Sequence, residues 1–372
     1  MALSWPAHLM NIVKATRRYE TWLGRRTQLV KPDLKLKHQQ MAASTSAFPF
    51  LRATFYRWMQ VWPALAHDVS KAPKILAVGD LHVENFGTWR DSEGRLVWGV
   101  NDFDEAAQLP YTVDLVRLAT SAILAAEEGH LALKPRDACK AILDGYSKSL
   151  AKRGDPFVLE ENNKWLRQIA TSELRDPEHF WAKMETLPKA KNGIPVAALE
   201  ALKRLLPESG LDYRLVHRIA GLGSLGHIRL VAIAECEGAK IAREVKALTP
   251  SAADWAEGAG GPEEILYQPI ITNAIRCPDP FVQLRGQWLV RRLSPHCCRV
   301  ELTDLPKDRD ELRLLYAMGW ETGNIHLGSK KAIKEVARHL ASLKRNWLLT
   351  SAKAMAKTVN QDWQAWRRSQ KA

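Results

Sequence analysis

Lys74-Ile-Leu-Ala-Val-Gly-Asp-Leu-His-Val-Glu-Asn85 opens as a short apolar run and turns at Gly79-Asp80 into a polar loop. The run is short enough, and punctuated sharply enough, to predict a buried strand ending in a loop rather than a helix. Asn85 to Arg90, the polar turn Asp91-Ser-Glu-Gly94 and Arg95 to Val100 read as a hairpin, which ends at Asn101-Asp-Phe-Asp-Glu105. Two acidic loops therefore follow two neighbouring strands. Asp80 and Asn85 can face one cavity from a single tight loop, and phosphoryl transfer uses such a pair, a carboxylate to orient an acceptor hydroxyl and an oxygen ligand for magnesium. The alternative is an Asx turn that only closes the strand end. With Phe103 in a core, Asp102 and Asp104 share the opposite face, as metal ligands or as a solvated acidic turn.

Outward from this centre, residues 8–30 and 47–66 carry helical apolar spacing, and helices are expected at about 111–127, 135–152, 158–171 and 195–205. From His217 to about Leu293 the chain becomes strand-rich. Gly221-Leu-Gly-Ser-Leu-Gly226 precedes Ile228 to Ala234, a turn at Glu237-Gly238 and a strand from Lys240 to Leu248. Gly258 to Pro262 reads as a loop, Phe281–Leu284 and Trp288–Leu293 as a hairpin around Arg285-Gly286, and residues 308–326 and 331–348 as helices. A strand after the glycines, with no acidic residue at dinucleotide spacing, favours a phosphate-covering loop over a Rossmann turn. Gly221, Gly223, Ser224 and Gly226 would cover phosphates, and Lys246 would neutralise them. Arg243 competes for the lysine's role from the other face of the same strand. Glu263 and Glu264, on a helix start after Pro262, are the expected partners of Lys246.

The 372 residues carry a net charge of +13, which favours an anionic partner without choosing among nucleotides, phosphorylated compounds, nucleic acid and acidic membranes. No apolar stretch is long enough to span a bilayer, and the N-terminus lacks the pattern of an export signal. Cys139, Cys236, Cys277, Cys297 and Cys298 show neither zinc nor CxxC spacing, so a cytoplasmic location is the expectation. Trp347, Trp363 and Trp366 lie in a basic C-terminal stretch that reads as core packing rather than a nucleic-acid or membrane surface. Arg52 is read as holding the 79–85 loop, a phosphate or an internal salt bridge, His82 as a structural histidine, Glu84 as a solvated neighbour, and Arg291 and Arg292 as solvated.

The segment Gly79-Asp-Leu-His-Val-Glu-Asn85 resembles the catalytic loop G-D-x-H-x-x-N of aminoglycoside and choline-type phosphotransferases. Asn101 to Asp104 is similar to their metal-binding segment. Asp114-Leu115 matches the start of their buried helix, which implies that Asp114 braces the catalytic loop. Met318 to His326 resembles the helix that precedes that loop. A closer resemblance is to domain-of-unknown-function family 2252, a mainly bacterial family placed among kinase-like folds. It runs from about Lys37 to His326 through Met41, Ser46 to Arg52, Gly79 to Gly87, Asn101 to Ala106, Asp114 to Ser121 and Gly221 to Gly226. The chain departs from that pattern at Ala53 and Ala247.

The resemblance implies an α+β, protein-kinase-like two-lobe fold with extra N-terminal helices, using ATP and Mg2+, with Mn2+ as a substitute. Asp80 would be catalytic, Asn85, Asp102 and Asp104 would hold metal, and His82, Asp114 and Arg52 would support them. Because the catalytic loop precedes the Gly loop, the motif order implies a circular permutation. The expected division is a helical extension at 1–72, the catalytic and metal part of the larger lobe at 73–210, a strand-rich nucleotide lobe at 211–295 and closing helices at 296–372. The acceptor is open, a small hydroxyl compound being one class. Transfer of the nucleotide instead of the phosphoryl group, and a non-catalytic nucleotide-sensing or nucleic-acid-binding module, stand as alternatives.

Overall fold

Strand β1 (Lys74–Ala77) is stopped by two features of Gly79. Its φ is +83°, in the left-handed region, and a Cβ there would overlap the Glu105 carbonyl. The backbone N–H groups of Val78 and Gly79 then donate to the two oxygens of Asp114, at 2.7 and 2.9 Å. The computed structural model describes residues 10–66, 69–171, 176–190, 193–258, 263–297 and 310–371. Within them the chain is an α+β protein. β1 pairs antiparallel with β4 (Ala107–Pro110), and β2 (Phe86–Arg90) and β3 (Leu96–Val100) form the expected hairpin, with β5 (Phe157–Val158) on the far edge of β3.

Helices α5 (Thr112–Glu127) and α6 (Pro135–Lys152) pack behind these strands, joined from the C-terminal end by α12 (Glu311–His326) and α14 (Trp347–Ser369). A Cβ on Gly319 would overlap the Ile142 carbonyl and one on Gly145 the Tyr316 carbonyl, so glycine lets α6 and α12 cross at backbone contact. Trp347, Trp363 and Trp366 are buried in the same core. No helix among the described residues is long and apolar enough to cross a membrane.

A second sheet is wholly antiparallel: β6 (Arg214–His217), β7 (Arg229–Cys236), β8 (Ala239–Ala247), β10 (Trp288–Leu293) and β9 (Gln283–Arg285), in that spatial order. The β7–β8 turn places Glu237 and Gly238 at φ +50° and +77°, the pair of positive values a type I′ hairpin needs. Alternation along β8 sends Val245 and Ala247 into an apolar cluster with α9 (Val196–Lys203). Glu244 and Lys246 point to the other face, where Ala242 joins α8 (Pro177–Glu185) in a smaller cluster.

Several expectations need correction. The helix read over 8–30 is α1 (Ile12–Leu23), and a separate helix, α2 (Lys31–Ala43), follows it. Its buried positions, Asp33, Lys37 and Met41, lie four apart, but two are charged, so apolar periodicity does not reveal it. The helix read over 47–66 breaks at Thr54 into α3 (Ala47–Ala53) and α4 (Phe55–Leu65), with the Thr54 hydroxyl donating to the Phe50 carbonyl. The one read over 158–171 shortens to α7 (Lys164–Ala170), because Phe157–Val158 is spent on the β3 edge. The helix expected over 331–348 stops at Ser342 as α13 (Ile333–Ser342), and only the first two residues of α14 fall within that range. Two short helices, α8 and α10 (Ala252–Glu257), were not expected, and the helix expected to start after Pro262 is α11 (Tyr267–Asn273), which starts beyond Glu263 and Glu264. Cys298 and most of the 258–262 loop lie outside the described residues.

Candidate functional site

Asp80 leaves β1 immediately after the braced Gly79 and meets Arg117 of α5. Arg117 donates to Asp80 Oδ1 through Nε at 2.7 Å and through Nη2, which also donates to the Leu51 carbonyl at 2.9 Å. Its guanidinium is held between Phe55 and Trp58, with ring centroids 5.0 and 4.8 Å away. Burial pushes the Asp80 carboxyl up to about 6, against the opposing pull of Arg117. Asp114 and Arg117, three apart on one helix face, thus fix the loop and its carboxylate. His326, at the end of α12, reaches the same Asp114 at 2.9 Å.

Asn85 Oδ1 accepts the His82 N–H at 2.6 Å, a bond back to a residue three earlier and so not an Asx turn, and the side chain still lines the cavity. His82 Nδ1 accepts the Glu84 N–H at 3.2 Å. Glu84 is buried and paired with Arg52 of α3, not solvated as expected. Arg52 therefore grips the loop through Glu84.

Asn101 to Asp104 runs on from β3. Phe103 is buried edge-on to Tyr267, while Asp102 and Asp104 face the Asp80 cavity. Asp104 Oδ2 pairs with Lys246 of β8, whose Nζ is also 4.0 Å from Asp102. Asp104 Oδ1 is buried without a hydrogen-bond partner. The partners of Lys246 are thus the two carboxylates read as metal ligands, whereas Glu263 pairs with Arg26. Arg243 donates to the Leu205 carbonyl on the opposite face and stays out of the site. Glu105 also lines the cavity, accepting from Ser251 Oγ and the Ala252 N–H, and burial raises its carboxyl to about 8.

The Gly loop joins β6 to β7 and comes down on this floor. A Cβ on Gly223 would lie 2.8 Å from the Arg52 carbonyl and 3.6 Å from Asp80 Oδ2. Lys37 of α2 reaches across to donate to the Gly223 carbonyl at 2.9 Å. Ser224 Oγ accepts from Arg229 at 2.8 Å. Gly221, Gly223 and Ser224 line one cavity with Arg52, Asp80, His82, Asn85, Asp102 and Asp104. Gly226 does not line it, being packed on Leu34, where its carbonyl accepts the Val30 N–H. The enclosed volume is about 60 Å³, well below the roughly 300–1,000 Å³ of ordinary ligand pockets. Among the described residues no three His, Cys, Asp or Glu side chains are grouped as metal ligands.

Beside Lys246, Glu244 is fully buried and bound by Arg218 and by Arg291, the latter at 2.8 Å. Burial alone would raise its carboxyl, but Arg291, Arg218 and Arg229 outweigh that and hold it far below the usual carboxylate range. Arg291 is therefore not a solvated residue, and Arg292 packs its guanidinium 4.1 Å from the Phe281 ring centroid.

Residues 29–191 match a family model. Its description reads "Uncharacterized protein conserved in bacteria (DUF2252)". The matched stretch carries Lys37, Arg52, both acidic loops, Asp114 and Arg117, while the Gly loop, Glu244 and Lys246 lie beyond it. No curated protein and no solved structure matches the chain.

Proposed function

We propose that the protein is a metal-dependent phosphotransferase of kinase-like, circularly permuted fold that moves the terminal phosphoryl group of ATP to a hydroxyl acceptor. One observation carries this reading: the Gly loop, far along the chain from the acidic loops, lines one cavity with Asp80 and Asp104, and Lys246 of the same sheet pairs with Asp104. A glycine loop between two strands, a lysine on the third strand and a D-x-x-x-x-N loop are the parts that kinases use on a nucleotide. The second sheet would be the nucleotide lobe. The helices returning at α12 and α14 would complete the larger one.

Arg117 anchors Asp80 through Oδ1, which leaves Oδ2 on the Gly-loop side to take the proton of the acceptor hydroxyl. The acceptor oxygen bonds to the γ-phosphorus as its bond to the β–γ bridging oxygen breaks, and ADP departs with that electron pair. The orphaned Asp104 Oδ1 and the half-exposed Asp102 suit a divalent cation, and Asn85, which lines the same cavity, adds an amide oxygen of the kind magnesium takes. Magnesium or manganese held there would neutralise charge on the phosphate oxygens. Lys246 occupies the Asp104 side chain meanwhile, and on release it would turn to the phosphates.

A second reading, transfer of the nucleotide, is favoured by Arg218, Arg229 and Arg291 around the single Glu244. That surplus of positive charge could take the terminal phosphates and leave the α-phosphoryl group nearest Asp80. Product analysis with ATP labelled at the α and γ positions separates the two. ADP and labelled phosphoryl product, lost in Asp80→Asn, support the first reading, and pyrophosphate supports the second. Neither product, with no metal-dependent ATP binding, contradicts both.

A further inference from the structure

A second cavity, of about 320 Å³, lies on the other side of the Asn101–Asp104 segment. Alternation along that segment makes it a shared wall, with Asp102 and Asp104 facing the first cavity and Asn101 and Phe103 the second. We infer that this second cavity binds a small organic anion, a carboxylate or phosphate carried on a flat hydrocarbon body. The inference stands apart from the phosphotransfer reading.

The anion specificity comes from unbalanced guanidinium groups. Arg276 packs against the rings of Trp89 and Phe103, with centroids 4.4 and 5.0 Å away, and its Nη1 is buried without a hydrogen-bond partner. Arg292 likewise leaves Nε buried and unpartnered, and its nearest carboxylate, Asp279, is 4.0 Å away. Among the described residues Asp279 is the one carboxylate lining the cavity, against Arg276 and Arg292, since the third arginine there, Arg291, is paired with Glu244. A guanidinium packed against aromatic faces keeps its N–H groups in its own plane, where a carboxylate or phosphate can take two of them side by side. Stranding such donors in the interior is costly, and an anionic ligand relieves it.

The rest of the wall suits the hydrocarbon body. Trp89 is pinned by its indole N–H to the Cys277 carbonyl at 2.9 Å, Tyr267 stands edge-on to Phe103, and Ile271 adds an apolar side. Rings fixed in this way form a slot without rearrangement, and the volume falls in the range of small-molecule sites.

The test uses the full chain with phenyl phosphate, benzoate and the neutral benzyl alcohol, titrated by calorimetry and ligand-observed NMR. The expected result is saturable binding of at least one anion and none of the alcohol. Affinity should fall at least tenfold in Arg276→Gln, which removes the charge, and in Ile271→Trp, which fills the cavity, and should be unchanged in Lys246→Met. Thermal unfolding checks that each variant is folded; if one is not, the other decides. Phosphate- or carboxylate-only binding identifies the head group. No saturable binding by the wild type, undiminished binding in Ile271→Trp, or loss in Lys246→Met would overturn the inference, the last by moving the ligand to the first cavity.

Discussion

Asp80 lies under two opposed influences, burial that disfavours its charge and an arginine that favours it. Burial prevails, and the carboxyl ionises at about 6. If Asp80 is the base, turnover should rise with pH through about 6 and then level off, and Asp80→Asn should lower kcat by roughly 10²–10⁴-fold while leaving nucleotide affinity within a few-fold. A steady-state pH profile checks both. Glu105, raised to about 8, bears on stability instead. Its folded state holds the proton more tightly than the unfolded chain, so stability falls as pH rises from the ordinary carboxylate range to about 8. Between pH 7 and 8 that slope is at most about 1.4 kcal/mol per unit, and Glu105→Gln should flatten it in urea titrations at the two pH values. Of these residues, Asp80 was legible from its loop. Arg117 left a signal, three positions after Asp114 on an apolar helix, that spacing could have turned into a role. Lys37 left none, because a buried lysine in an unrecognised helix looks like any surface charge.

Elements were legible where the side-chain pattern matched the backbone period. The β2–β3 and β7–β8 hairpins follow from alternation and turn residues, and α5 from a long apolar run opened by Asp114. α2 was not legible, since it buries charge. The break at Thr54 was not either, because a hydroxyl bond back to Phe50 is invisible to periodicity. The α6–α12 crossing depends on Gly145 and Gly319, which sit in contact with the partner helix's carbonyls. Gly319→Ala should therefore cost about 1–3 kcal/mol, as overpacking does. This contrasts with the gain of up to about 1 kcal/mol that alanine gives at an exposed helical glycine. Chemical denaturation measures the sign directly.

At the scale of the molecule, the acidic loops lie on the strands and helices of the first part, and the Gly loop is brought to them from a separate sheet. Sequence order pointed to this convergence only through the resemblance of the motifs, because no local pattern reports which distant loops meet. The pairing of Lys246 with Asp104, the hold of Lys37 on Gly223 and the Glu244 cage became visible only in three dimensions. These contacts leave a volume of about 60 Å³, so the proposed nucleotide could enter only if the Gly loop lifted and Lys246 left Asp104. The most direct test is calorimetric titration of ATP, with and without magnesium, into wild type, Asp102→Ala and Asp80→Asn, with turnover followed in parallel. The expected result is magnesium-dependent binding by wild type, at least tenfold weaker in Asp102→Ala and kept in Asp80→Asn without turnover. Equal affinity in all three, indifferent to magnesium and without turnover in wild type, would contradict a phosphotransferase site.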